Sequence, residues 1–210
     1  EIRDEAIVDL GWRGVKGAIT EYNQKQFNKS IIIGGDITIR KERMAIASTK
    51  GMNDWDESTV LTANITSMIE MEKVKGTGWN TSTHISCFSP EEAGRESAES
   101  AIRTRGGDRI SSGTYDVIFG KQPVTDLFAN IVIPALSLSS INTSDTPFLG
   151  KLGQKISSEL LTVYDDGAIK GAIGSKKISC EGIPTGRTDL IHGGFLVGFL
   201  ANNYLSKKWV

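Results

Sequence analysis

Residues 60–71, Val-Leu-Thr-Ala-Asn-Ile-Thr-Ser-Met-Ile-Glu-Met, are rich in β-branched side chains. Before them, isoleucines alternate with polar residues at positions 37–40, and Met44 and Ile46 alternate with alanines at positions 44–47. Alternation with a period of two is typical of strands that have one buried and one solvated face. The pattern therefore predicts antiparallel strands between Ser30 and Cys87, with a last short strand at residues 83–87.

Glycine is frequent, with 23 among 210 residues, and it favours turns and bulges over a helical bundle. Gly11, Gly14 and Gly17 predict that residues 1–30 are helical only in part, because glycine is a poor helix former. The pair Gly34-Gly35 predicts a bend that follows the first apolar run.

The clearest helix signal is Ser89-Pro90-Glu91-Glu92. It combines an N-cap serine, a proline at the first helical position and a glutamate three residues after the cap. We predict a helix from this point to about Arg105, ending at Gly106-Gly107. Its small-residue face is suited to close packing on a sheet and consists of Ala93, Ala98, Ala101 and Ile102.

The polar stretch 105–113 predicts a boundary between two units. After it we predict a strand at Tyr115–Phe119, a helix that starts at Pro123, and a mobile loop or frayed helix end at Ser137–Pro147. Short strands follow, the last at Phe195–Leu200. The predicted fold class is α+β, with largely antiparallel sheets and packed helices: a central α/β region is followed by the start of a β-rich domain.

Composition excludes several classes of protein. The formal net charge is −1 and the pI is near 6.2, so the basic field needed for non-specific nucleic-acid binding is missing. No apolar run approaches the roughly 20 residues of a membrane span, and the charged start does not resemble a signal peptide. Two cysteines make no disulfide framework. We expect a cytoplasmic protein with reduced thiols.

Histidine is scarce, since only His84 and His192 are present. A hydrolytic zinc site usually needs three protein ligands, often two histidines one helical turn apart with a glutamate. No such pair exists in the sequence. His84 and Cys87 could in principle bind a metal, but residues three apart on a strand point to opposite faces. We interpret His84 as a half-exposed strand residue and Cys87 as a buried thiol.

Nucleophilic catalysis has little support in the sequence. There is no Gly-x-Ser-x-Gly motif and no phosphate-binding loop. Cys180 is followed by Glu181, not by a cation that would activate the thiolate. A hydrolase that uses Cys87 or Cys180 with His84 or His192 stays open as an alternative, because such sites depend on proximity in space.

Several motifs carry a resemblance to a known family when they are taken in order. They are Ser89–Glu96, Gly113–Gly120, Phe148–Ile156, Leu161–Gly167, Glu181–Thr185 and Leu190–Leu196. With this order and spacing, the chain resembles the TldD/PmbA family of DNA gyrase modulators and predicted zinc-dependent proteases over most of residues 30–210. No single motif is diagnostic, but the ordered set is fairly specific.

The resemblance implies which of the two subunit types this chain is. TldD-type chains carry His-Glu-x-x-x-His, which binds zinc, just after the strand equivalent to Tyr115–Phe119, and a cysteine nearer the C-terminus completes the site. In this sequence the motif falls at 120–125, where Gly120, Lys121 and Thr125 supply no ligand, and a shift by one or two residues supplies no histidine and no zinc-activating glutamate. The resemblance thus implies a TldE/PmbA-type subunit with no metal of its own, and zinc in a TldD-type partner.

The family also implies a heterodimer that cleaves unfolded or small peptides in a shared chamber. Four family-like residues are expected either at the chamber wall or in a plain β-turn: Glu181, Gly182, Pro184 and Thr185. A homodimeric scaffold without peptidase activity is the alternative. The implied domains are 1–108, a central α+β domain, and 109–210, the first part of the C-terminal domain, with further sequence expected on both sides.

Overall fold

The computed structural model describes residues 3–25 and 29–208, which form two compact units. The first unit contains α1 (Asp4–Gln24), most of β1 (Ile31–Ala47) and β2 (Asn53–Ile69), β3 (Val74–Ser82), a 3₁₀ turn (Ile85–Cys87), α2 (Pro90–Arg103) and residues 171–174. The second unit contains residues 46–54, α3 (Lys121–Leu127), a π-helical segment (Phe128–Val132), α4 (Ile133–Ala135), α5 (Leu138–Asn142), β4 (Val163–Asp166), β5 (Arg187–His192), β6 (Phe195–Leu196) and α6 (Asn203–Lys208).

Each unit is built on a three-stranded sheet, in the order β1-β2-β3 and β4-β5-β6. Strands β2 and β3 pair antiparallel, with Leu61 opposite Ser82 and Ile69 opposite Val74. The pairs β4–β5 and β5–β6 are also antiparallel. The predicted α+β class with antiparallel sheets is therefore confirmed. The domain division at residues 108 and 109 stays a prediction, because each unit also draws a segment from across that boundary.

The predicted alternation holds along β2, where every second residue from Leu61 to Ile69 is buried. Helix α2 covers the sheet above β3, and glycines in β3 bring the two backbones together. A Cβ added to Gly76 would lie 2.2 Å from the backbone nitrogen of Ala101, and one added to Gly78 would lie 2.0 Å from the carbonyl oxygen of Ala93. The predicted small-residue face of α2 is thus in place, with Ala93, Ala98 and Ala101 completely buried.

Helix α1 runs for 21 residues through Gly11, Gly14 and Gly17, so the prediction that these glycines interrupt a long helix was wrong. Residues 1–2 and 26–28 of the segment predicted to be partly helical lie outside the described residues. Gly14 and Gly17 of α1 serve the contact with α2. A Cβ on Gly17 would lie 2.2 Å from the carbonyl oxygen of Glu91, and one on Gly94 of α2 would lie 1.9 Å from that of Gly14. Close helix packing outweighs the roughly 1 kcal/mol that each glycine costs an isolated helix.

Three further predictions for the first unit were wrong. Strand β1 continues through Gly34-Gly35 without a bend, and Gly35 is needed because a Cβ there would lie 2.1 Å from the carbonyl oxygen of Asn64. Residues 83–87 are not a strand, since the N–H groups of Cys87 and Phe88 turn back to bond the carbonyls of residues 84 and 85. This turn leaves Cys87 exposed instead of buried.

The helix predicted at Ser89 is present, with two differences. Ser89 occupies the N-cap position, but its side chain makes no capping hydrogen bond, and its carbonyl accepts the N–H of Glu92 instead. The helix ends at Arg103, two residues before the predicted end, where the hydroxyl of Thr104 donates to the carbonyl of Ala101 at 2.9 Å. This hydroxyl competes with the next helical N–H for the carbonyl.

Predictions for the second unit were wrong in detail as well. Residues 115–119 form no strand, because no described strand pairs with them, and Ile118 is 98% exposed. Helix α3 starts at Lys121, two residues before Pro123. The predicted loop at 137–147 contains α5, capped by the Ser137 side chain, and the last strand is only two residues long. Helix α6 was not predicted at all.

The core of the second unit lies between its sheet and the helix that starts at Lys121. Its buried members are Leu136, Val163, Leu190, Ile191 and Leu196. Phe128, Val132 and Ile133 pack against them from the π-helical segment and α4.

The glycine contacts of α1 predict opposite effects for two alanine substitutions on the same helix. Gly17→Ala should destabilise the protein by about 1–3 kcal/mol, because its Cβ would overlap the carbonyl of Glu91. Gly11→Ala is the matched control: nothing lies within 4 Å of its Cβ, so it should stabilise by up to about 1 kcal/mol. Urea unfolding followed by circular dichroism measures both, and equal effects of the two substitutions would contradict this packing.

Candidate functional site

The sequence places a degenerate motif at the start of α3, and the structure shows what its residues do. Gly120 is the N-cap, in extended conformation, and its carbonyl accepts the N–H of Val124 at 3.2 Å. The hydroxyl of Thr125 donates to the carbonyl of Lys121 at 3.0 Å. The hydrogen bonds of Gly120 and Thr125 therefore serve the backbone of the helix itself.

A zinc ion does not fit these side chains. Zinc in proteins is held by imidazole, thiolate or carboxylate groups, and Gly120, Lys121 and Thr125 offer none of them. Within residues 3–25 and 29–208, no group of three or more histidine, cysteine, aspartate or glutamate side chains is arranged to hold a metal ion. No catalytic step is therefore assigned to a metal at this position.

The helix that follows this position contains a π turn. Helix α3, the π-helical segment and α4 are continuous in sequence from Lys121 to Ala135. In a regular α-helix, residues five apart point about 140° away from each other. Here Phe128 and Ile133, five residues apart, both pack on the core. The π turn thus places Phe128 and Ile133 on the same face of the helix. Such turns occur frequently at functional sites.

The family-like loop at 178–185 is a tight, hydrogen-bonded turn. The N–H of Ser179 bonds the carbonyl of Ile183 at 2.8 Å, and the N–H of Gly182 bonds the carbonyl of Ser179 at 2.9 Å. Gly182 has φ of +74°, a conformation that favours glycine. Pro184 forms an isolated bridge with Ile178. The β-turn expected as one reading of this loop is therefore present.

Two side chains of the same loop are fixed by neighbouring segments. The carboxylate of Glu181 accepts the N–H of Asn203 at 3.0 Å, at the first residue of α6. The hydroxyl of Thr185 donates to the carbonyl of Lys176, and its backbone N–H donates to the carbonyl of Lys177 at 3.1 Å. These contacts give both residues a role in holding the loop. Their expected place at a chamber wall stays a prediction.

The cysteines and histidines of the alternative hydrolase are not joined in the part of the chain described. Cys87 and Cys180 are free and exposed. The Cys87 thiol lies 3.9 Å from the hydroxyl of Ser86. Among the described residues no hydrogen bond links either thiol to His84 or His192. The structure thus lends this alternative no support.

One ordered polar cluster was missed by sequence reasoning. On β4 and β5, the Arg187 guanidinium lies 4.0 Å from the centre of the Tyr164 ring and donates to one oxygen of Asp189 at 2.9 and 2.8 Å. The hydrogen bond that Arg187 donates to the Asp189 carboxylate raises the pKa of Arg187. Residues two apart on a strand point to the same face. This rule could have placed Arg187 and Asp189 together, beside the buried pair Leu190-Ile191.

A comparison with known protein families shows which family the second half of the chain is similar to. Residues 112–209 match the model of the PmbA/TldA metallopeptidase C-terminal domain. Over these residues the chain is similar to the PmbA/TldD family. The resemblance inferred from the ordered motifs is thereby confirmed.

Relatives of PmbA/TldD type are distant but consistent. A metalloprotease of Methanothermobacter thermautotrophicus is 33% identical over 111 residues, which cover 52% of this chain and 24% of the relative. A solved structure, a proposed modulator of a DNA gyrase from Thermotoga maritima, has a TM-score of 0.85 at 20% identity and covers 99% of this chain and 47% of that one. TldE from Thermococcus kodakarensis has a TM-score of 0.78 at 20% identity, covering 96% and 46%.

At these identities the solved structures show a shared fold. The chain spans less than half the length of the PmbA/TldD relatives that it matches. Among the described residues, no helix has both the length and the apolar composition that crossing a bilayer requires.

The geometry of the 178–185 loop predicts that Gly182→Ala destabilises the protein by about 1–3 kcal/mol. Alanine is strained at φ of +74°, and its Cβ would lie 2.0 Å from the sulfur of Met52. Gly174→Ala is the matched control, since nothing lies within 4 Å of its Cβ. Thermal unfolding of both variants checks the prediction, and a neutral Gly182→Ala would show that this loop is not held as described.

Proposed function

We propose that this chain is the TldE/PmbA-type subunit of a PmbA/TldD-family peptidase and has no zinc site of its own. The observation that carries the proposal is the start of α3. The position at which TldD-type chains have His-Glu-x-x-x-His is occupied here by Gly120, Lys121 and Thr125, of which Gly120 and Thr125 bond only to the helix backbone. The helix packs against the core of the second unit, while Gly120, Lys121 and Thr125 offer no metal ligand.

The names of the relatives support the class of reaction. The relative from Methanothermobacter thermautotrophicus is named a metalloprotease, and the structural neighbour from Thermococcus kodakarensis is named TldE. We infer peptide hydrolysis by the assembled enzyme, with unfolded or small peptides as substrates. The site is closed to folded proteins by the walls of the chamber.

In this proposal, the side chains of each subunit determine which part of the reaction that subunit carries out. Zinc in a TldD-type partner would activate the water that attacks the peptide bond. This chain contributes the surface that binds the partner and part of the chamber wall, for which the rigid loop carrying Glu181, Gly182, Pro184 and Thr185 is our candidate. A cytoplasmic location agrees with this role and stays a prediction.

The alternative is a homodimeric scaffold without peptidase activity. The free, exposed state of both cysteines fits this alternative as well as the first, because neither function needs a thiol. The two functions differ in one property: only the subunit of a peptidase binds a chain that carries His-Glu-x-x-x-His.

We expect the chain to form a one-to-one complex with a TldD-type protein of the same cell. Size-exclusion chromatography with light scattering measures the mass of the mixture, and hydrolysis of an unstructured, fluorogenic peptide measures its activity. The complex should cleave the peptide, and this chain alone should not.

A matched control replaces the first His of the partner's motif by Ala, which should leave the complex intact and abolish cleavage, because a zinc ligand is lost. If no complex forms at concentrations of about 10 µM each, well above the Kd of a stable specific pair, the heterodimer proposal is wrong.

A further inference from the structure

The 46–54 segment, which contains the turn between β1 and β2, lies against the loop at 178–185. Both segments belong to the second unit. The N–H of Ser48 bonds the carbonyl of Met52 at 2.9 Å, so the turn is ordered. Met52 is also the residue whose side chain reaches the loop.

The thioether of Met52 fills the space that a side chain at position 182 would occupy. The sulfur lies 2.0 Å, and the terminal methyl carbon 3.1 Å, from the place of a Cβ on Gly182. The γ2 methyl of Ile46 lies 3.3 Å from the same place, so the contact is apolar. Methionine is suited to such a gap, because its unbranched chain and polarisable sulfur adapt to irregular surroundings.

A second contact between the two segments is an ion pair. The Asp54 carboxylate binds the Lys177 ammonium group, whose side chain is 62% exposed. An exposed ion pair contributes little to stability, because solvent screens it and ordering the side chains costs entropy. The apolar contact of Met52 therefore carries much of the attachment of the 46–54 segment to the loop.

Met52 is also the group in this contact whose chemistry can change. It is half-buried, and its neighbours Lys50 and Gly51 are exposed, so part of the side chain is open to solvent. Oxidation to the sulfoxide turns the apolar thioether into a polar, chiral group. A sulfoxide oxygen needs a hydrogen-bond donor, and the Cα of Gly182 and the methyl group of Ile46 are not donors.

We propose that Met52 is a site of reversible oxidation that controls how firmly the loop at 178–185 is held. The oxidant is a hydroperoxide, in the simplest case hydrogen peroxide. A lone pair of the sulfur attacks one peroxide oxygen, an S–O bond forms and the O–O bond breaks. The second oxygen takes the proton of the first and leaves as water, so the sulfur loses the two electrons that the peroxide gains.

The reverse step uses a methionine sulfoxide reductase with thiols as the reductant. Two thiols become a disulfide, the sulfoxide oxygen leaves as water, and the thioether is restored. The site does not depend on the proposed function, because it requires neither a partner subunit nor a zinc ion.

Oxidation should loosen both segments at once, and their hydrogen bonds supply the reporters. In the loop, the N–H of Ser179 bonds the carbonyl of Ile183 at 2.8 Å, and in the 46–54 segment the N–H of Ser48 bonds the carbonyl of Met52. We expect hydrogen exchange in both segments to become at least about tenfold faster, because more frequent opening exposes these N–H groups.

The test is hydrogen exchange of the whole chain, measured by mass spectrometry before and after treatment with hydrogen peroxide. Every sample carries Cys87→Ser and Cys180→Ser, because both thiols are exposed and would also be oxidised. Met52→Leu should keep slow exchange in both segments with and without peroxide, because leucine has a similar volume and has no sulfur. Met71→Leu is the matched control: it removes a methionine that is 77% exposed and should respond to peroxide like the parent.

Faster exchange in the parent, no response in Met52→Leu and recovery after treatment with the reductase support the proposal. Far-UV circular dichroism verifies that Met52→Leu is folded, and recovery by the reductase in Met71→Leu carries the test if it is not. A sulfoxide at Met52 that leaves exchange in both segments unchanged overturns the proposal. So does a Met52 that takes up no oxygen when Met71 is fully oxidised, or a Met52→Leu variant that responds to peroxide like the parent.

Discussion

The first unit depends on the close approach of α2 to two neighbours at once. Gly76 and Gly78 bring it onto β3, and Gly17 and Gly94 bring it against α1, where any Cβ would overlap a backbone atom. The hydroxyls of Ser67 and Ser97, both fully buried, bond at 2.7 Å across the helix–sheet contact. Because backbone meets backbone at each contact, α2 has little freedom to slide or rotate, and the positions of α1 and β2 follow from it.

This constraint also explains which parts of the fold were predictable. The alternation along β2 and the signal at Ser89 each reflect a local preference, and both elements are present. The glycines of α1 were judged by the same local preference, and there the prediction failed, because their role is a contact with residues about 75 positions away in sequence. Gly35 in β1 was misjudged for the same reason. Sequence alone does not distinguish a glycine that breaks an element from one that permits close packing.

For the second unit, the sequence predicted the family better than it predicted the helices and strands. The ordered motifs identified the PmbA/TldD family, and the family model confirmed it for residues 112–209. The segment 115–119 was predicted as a strand from its apolar residues, but a strand needs a paired neighbour. The π turn could not be predicted from the spacing of the apolar residues. Phe128, Val132 and Ile133 fit an α-helical pattern in part and a π-helical pattern in part. Arg187 was missed because Tyr164, the ring against which it lies, belongs to another strand.

In our proposal the helix that starts at Lys121 keeps its packing on the core while Gly120, Lys121 and Thr125 offer no zinc ligand, which separates the scaffold from the chemistry. The most direct test of that separation is the zinc content of the purified chain after incubation with excess zinc and gel filtration, measured by mass spectrometry of the metal. The account predicts less than about 0.1 zinc per chain, because Gly120, Lys121 and Thr125 offer no ligand. About one zinc per chain, together with peptidase activity of this chain alone, would contradict it.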